Sequence, residues 1–97
     1  MIINFNRKDI TDMSYIFHKC KSLKELNLSN FNTNNVINMS DMFSWCSSLK
    51  ELNVFNFNTS NVTDMRSMFY GCSDEIKIKI RKQIKNIKEE AFNEITN

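Results

Sequence analysis

Large apolar residues return in this chain every 26 positions. Met13, Ile16, Phe17, Cys20 and Leu23 are followed by Met39, Met42, Phe43, Cys46 and Leu49, and then by Met65, Met68, Phe69 and Cys72. Between the stretches Cys20 to Trp45 and Cys46 to Gly71, 16 of 26 positions are identical, so the period is a true internal repeat. Self-similarity at a period of about 20 to 50 residues marks units that cannot bury an apolar face alone and stack on their neighbours. Within a unit, Val36, Met39, Met42, Phe43 and Cys46 follow one another at helical spacing, and the sets from Ile10 to Cys20 and from Val62 to Cys72 copy it. Asn35, Asn61 and Asp9 stand where N-caps of these helices would. Leu23, Leu26 and Leu28, like Leu49, Leu52 and Val54, end in the period-two alternation of a short strand, with Leu26 and Leu28 inward and Asn27 outward. Phe31 and Phe57 each sit in a polar stretch between strand and helix and are expected to fill the bend.

The pattern therefore predicts an α/β solenoid of strand, turn and helix units. Residues 1–73 hold a partial repeat over 1–20 and repeats over 21–46 and 47–72. Residues 74–97 read as an amphipathic capping helix, because Ile80, Ile84, Ile87, Ala91 and Ile95 form a helical stripe and Ser73 and Asp74 suit a helix start. An alternative keeps the repeat register, with Ile78 and Ile80 in a last strand and the helix beginning near Arg81. At the other end Asn4-Phe5-Asn6 matches Asn30-Phe31-Asn32, so the chain opens in mid-repeat. That leaves Ile3 and Phe5 as candidates for self-association, or for packing on preceding repeats.

Composition changes this picture little. Hydrophobic residues make up 41% and charged residues 25%, as in ordinary globular chains. A net charge of +2 gives no electrostatic footprint for nucleic acid or an anionic membrane. No stretch approaches the roughly 18 apolar residues of a membrane span, and no signal peptide is visible at the start. The punctuation is unusual, with one glycine, no proline and fifteen asparagines. Asparagine, aspartate and serine must then make the turns, by bonding their own backbone and tolerating left-handed conformations; an AT-rich coding sequence would enrich asparagine as well.

Candidate chemistry is sparse. Cys20, Cys46 and Cys72 fall one per repeat. Disulfide partners need Cα atoms about 4.4 to 6.8 Å apart, whereas neighbouring helices pack roughly 8 to 10 Å apart, so a buried column of free thiols is expected. His18 is the only histidine and there is no Cys-x-x-Cys pair, which argues against a metal site. The polar residues repeat as ladders of like kind and do not converge as unlike acid, base and nucleophile. One glycine cannot build a phosphate-binding loop. The reading is of a protein without catalytic residues, cofactor or metal.

The stretch from Asn56 to Ser73, with its Asn-Phe-Asn-Thr-Ser-Asn-Val-Thr-Asp-Met phrase running to Gly71-Cys72-Ser73, resembles the 26-residue repeats of the BspA-like leucine-rich-repeat surface proteins, and the match extends over about residues 4–73. Lys19 and Trp45 depart from that pattern, which favours glycine there. The resemblance implies a leucine-rich-repeat solenoid at the cell surface or secreted, engaged in adhesion and protein binding. Carried onto this chain, it places the contacts on the outward strand positions Lys24, Glu25, Asn27 and Ser29, and Lys50, Glu51, Asn53 and Phe55. Phe55 breaks the ladder, since its counterpart is Ser29. It is either an exposed anchor or a residue tucked against the terminal helix. Trp45 is a further candidate contact on the opposite, helix side. Two functions follow: a module that binds a protein partner of unknown identity, or a structural segment that self-associates or extends an array through its N-terminal end.

Overall fold

The computed structural model describes residues 7–95. Ile3 and Phe5 lie outside them. The segments predicted as repeat helices are chains of tight turns. Residues 39–46 show the pattern: the N–H of Met42 donates to the carbonyl of Met39, Ser44 to Asp41, and Cys46 to Phe43. Tyr15, Lys19, Asp41, Trp45 and Ser67 have φ between 54° and 64°, and Gly71 has φ 81°. A left-handed residue at every fourth position ends any α-helix, and it supplies the positive φ that type II turns need at their third residue.

The backbone groups that a helix would bond along its own axis are bonded sideways instead. Met13, Tyr15, Phe17 and Lys19 donate to the carbonyls of Asn38, Ser40, Met42 and Ser44. Met39, Asp41, Phe43 and Trp45 in turn donate to Asp64, Arg66, Met68 and Tyr70, at 2.7–3.0 Å. Short bridges at Asp12, Asn38 and Asp64 lock the register. Two strands, β1 (Glu25–Asn27) and β2 (Glu51–Asn53), pair in parallel with Glu25 opposite Glu51.

The expected fold class is thus overturned. Among the described residues there are two three-residue parallel strands and one α-helix, in a small compact domain, and no succession of strand and helix units forms a solenoid. The misreading has a simple cause. Two successive four-residue turns bring positions i, i+3, i+4 and i+7 to one side, as a 3.6-residue helix does over the same short length. Asn35 and Asn61 accordingly cap no helix; their Nδ2 groups donate to the carbonyls of Lys8 and Asn34.

The 26-residue period does order the core. Met39, Phe43, Cys46, Met68 and Phe69 are fully buried, as are Leu28 and Val54. Phe17, Phe43, Phe69 and Phe92 form a file with ring centroids 5.6, 5.2 and 6.0 Å apart. Asparagine and aspartate build the turns by accepting the N–H two residues on, as at Asp12, Asn27, Asn32, Asn38, Asn58 and Asp64.

The terminal helix is shorter than its stripe suggests. The α-helix α1 runs Asp74–Gln83, capped by Ser73, whose Oγ accepts from the N–H of Ile76. Ile78 and Ile80 therefore lie in the helix and in no strand. After Gln83 the chain turns at residues 85–86 and forms a 3₁₀ helix, Glu89–Phe92. This return covers the last turn segment: Ser67 and Phe69 donate to the carbonyls of Glu90 and Ala91, and Met65 to the Glu90 carboxylate. Arg81 clamps it, with a two-pronged bond to Glu89 and its guanidinium 4.1 Å from the Phe92 ring centre. A continued helix would have carried Ala91 and Phe92 away from that edge.

Two side chains of α1 close the strand edge, a place where unpaired backbone groups invite aggregation. The Gln83 amide accepts from the N–H of Val54 and donates to the carbonyl of Leu52, both at 2.7 Å. Lys79 donates to the carbonyl of Lys50 and pairs with Glu51. Gln83→Ala is expected to cost about 1–3 kcal/mol in urea unfolding, as two half-buried backbone groups lose their partners, while exposed Lys82→Ala stays within roughly 0.5 kcal/mol. Equal effects of the two would show that the amide contributes no cap.

The left-handed positions give a second expectation. Lys19→Gly relieves an exposed left-handed residue and should stabilise by roughly 0.5–1 kcal/mol. Gly71→Ala should destabilise, because a Cβ there would lie 2.5 Å from the Trp45 ring. Thermal melts of both variants check the opposite signs.

Candidate functional site

The strand face is where the sequence placed the contacts, and the structure gathers most of them. Leu26 and Leu52 turn into the core, so Glu25, Asn27, Glu51 and Asn53 point to the outer face. Together with Phe55 and Gln83 they border an open groove of about 540 Å³. Phe55 is 65% exposed, so it does not tuck against α1. Its backbone N–H rests on the Asn53 Oδ1 at 3.3 Å, which holds the residue at the groove margin.

The ladder residues are not equivalent. Asn27 and Asn53 are half-buried and spend their Oδ1 on the turns that follow each strand. Glu51 pairs with Lys79, and that bond raises the Lys79 ammonium above its ordinary range. Lys24 and Lys50 are exposed but flank the groove without lining it. Ser29 sits in the next turn, its carbonyl accepting from the Asn56 amide. Trp45 belongs to a different surface. Its ring covers Gly71 and meets Tyr70 edge-on at 5.2 Å, leaving it 40% exposed.

Gln83 is the groove residue that the sequence reading missed. The available signal was its spacing: Lys79 and Gln83 stand four apart on the flank of the Ile76, Ile80 and Ile84 stripe, and so share the side of α1 that faces β2.

The His18 ring is bonded to Ser44 Oγ and lies edge-on to Tyr15, on another side of the molecule, and Ser44 is buried. Among the described residues no group of histidine, cysteine or acidic side chains could hold a metal ion. The three cysteines are free thiols. Burial pushes the Cys46 thiol from 9.0 up to about 12, with the neighbouring Cys72 adding to the effect, and burial raises Cys72 to about 11. The Sγ atoms donate to the carbonyls of Phe17 and Phe43, one segment back.

The chain belongs to the family described as Mycoplasma protein of unknown function, DUF285, whose pattern matches residues 1–96. Among curated proteins and solved structures, none matches it. Among the described residues no helix is long and apolar enough to cross a membrane.

The thiols carry a pH expectation. A folded-state value raised above the unfolded one means that the unfolded chain sheds its proton first, so stability is complete below about pH 9 and declines as pH climbs toward 12. Urea midpoints measured across that window should fall less steeply in Cys46→Ala than in the parent chain. An unchanged slope would assign the alkaline loss to other groups.

Proposed function

We propose that this chain is a non-catalytic protein-binding module that engages a polypeptide partner in the groove over β1 and β2, with Phe55 as the apolar anchor. The observation that carries this reading is Phe55 itself, 65% exposed in a molecule whose other phenylalanines described here are half-buried or buried. Aromatic anchors ringed by polar groups are the usual centres of binding energy at protein interfaces. The groove supplies that ring through Glu25, Glu51, the two asparagines and Gln83. The groove floor is already hydrogen-bonded to the protein's own backbone, so a partner meets a rigid surface and little ordering entropy is lost on docking. The resemblance to adhesive surface proteins supports the same reading and a place at the cell surface. No cofactor enters it, and a net charge of +2 favours neither nucleic acid nor lipid.

A peptide-library selection on the immobilised chain tests the proposal. Selected peptides are expected to lose at least about tenfold in affinity on Phe55→Ala, an energy of about 1.4 kcal/mol, with the melting temperature unchanged. Binders indifferent to Phe55, or no enrichment at all, would remove the groove from consideration.

A further inference from the structure

Helices packed roughly 8 to 10 Å apart would hold Cys20, Cys46 and Cys72 out of bridging reach. The segments that carry them are turns bonded edge to edge, so that distance does not apply. Lys19 donates to the carbonyl of Ser44 at 2.8 Å and Trp45 to that of Tyr70 at 2.7 Å, each donor preceding a cysteine by one residue. Backbones paired in this way stand about 4.8 Å apart, inside the roughly 4.4 to 6.8 Å that separates the Cα atoms of a disulfide.

The sulfurs point along the column. The carbonyl of Phe43 accepts from the Cys46 N–H at 3.1 Å and from the Cys72 Sγ at 3.2 Å, and that same N–H lies against the Cys72 sulfur. The carbonyl of Phe17 serves Cys20 and Cys46 in the same way, at 3.2 and 3.1 Å. Each thiol therefore rests on the turn that carries the cysteine one segment back. Cys46, in the middle, has a neighbour on either side and can bridge to one of them only. Cys72 raises its thiol more than Cys20 does, and Cys46 and Cys72 are both buried while Cys20 is half-buried.

We propose that Cys46 and Cys72 form a redox-dependent disulfide, which closes a 26-residue loop across two neighbouring turn segments and leaves Cys20 as a free thiol. The oxidant is a small-molecule disulfide such as oxidised glutathione. One cysteine thiolate attacks a sulfur of it, a mixed S–S bond forms, and one glutathione thiolate leaves. The second cysteine thiolate attacks the protein sulfur of that mixed disulfide, and the other glutathione thiolate leaves. Two protein thiols are oxidised, their two protons pass to the leaving thiolates, and the oxidant is reduced to two thiols. Burial keeps both thiols protonated in the folded core, so exchange takes place while the chain is open and the closed core then shields the bond. Oxidising surroundings hold the chain bridged and reducing ones hold it unbridged. The bridge is independent of the Phe55 groove.

The test is to unfold the full chain in urea and refold it in mixtures of oxidised and reduced glutathione. Peptide mapping without reduction should find Cys46 linked to Cys72 as the main product, with Cys20 open to alkylation. The bridged chain should melt at least about 8 °C above the reduced one, and dithiothreitol should erase the difference. Replacing Cys72 alone removes a buried side chain and weakens the fold by itself, so Cys20→Ala is the deciding variant: it should keep both the link and the shift. Absence of a Cys46–Cys72 link at every glutathione ratio, a Cys20–Cys46 link as the main product, loss of the link in Cys20→Ala, or a linked chain that melts no higher than the reduced one would overturn the proposal.

Discussion

Every turn segment in this protein has backbone N–H groups that its own left-handed residues prevent from bonding along the chain. Buried amides cannot go without partners, so each segment must lie beside another that offers carbonyls in the same register. The two strands, the Met and Phe columns and the shape of the C-terminal return all follow from that obligation. The first two segments meet it with the copy 26 residues on. The third has no further copy, and the chain bends back from α1 to supply Glu90 and Ala91 in its place.

The cap is more than a lid over apolar surface. Gln83 imitates a peptide unit against β2, with one acceptor and one donor, while Phe92 imitates the phenylalanine that another segment would contribute. The clamp between Arg81, Glu89 and Phe92 fixes the return in place. Closing an edge in this way removes a site of unwanted strand pairing. The buried thiols belong to the frame: burial and a carbonyl acceptor keep Cys46 and Cys72 protonated far above neutral pH.

Much of the candidate site was legible in the sequence. The break from Ser29 to Phe55 in an otherwise repeated ladder singled out Phe55 but left open whether it stands free or tucks against the helix, and the period-two phrase set Glu25, Asn27, Glu51 and Asn53 on the outer face. The roles of those asparagines were less visible. Turn-making and partner contact draw on the same side chain, and only the hydrogen bonds show that Asn27 and Asn53 are committed to turns. The glycine at position 71, in register with Lys19 and Trp45, was the one local hint of a left-handed turn.

The sequence by itself determined the 26-residue register, most of the buried set and the dependence on asparagine and aspartate for turns, while Ile16 and Ile95 of the apolar stripes stand exposed. These rest on side-chain chemistry and spacing, which are properties of the chain alone. Tertiary structure decided that the apolar stripes are turns and that the last helix stops at Gln83. Over eight residues a turn pair and a helix bury the same positions, so the choice passes to where the backbone hydrogen bonds go, and their partners lie on segments distant in sequence.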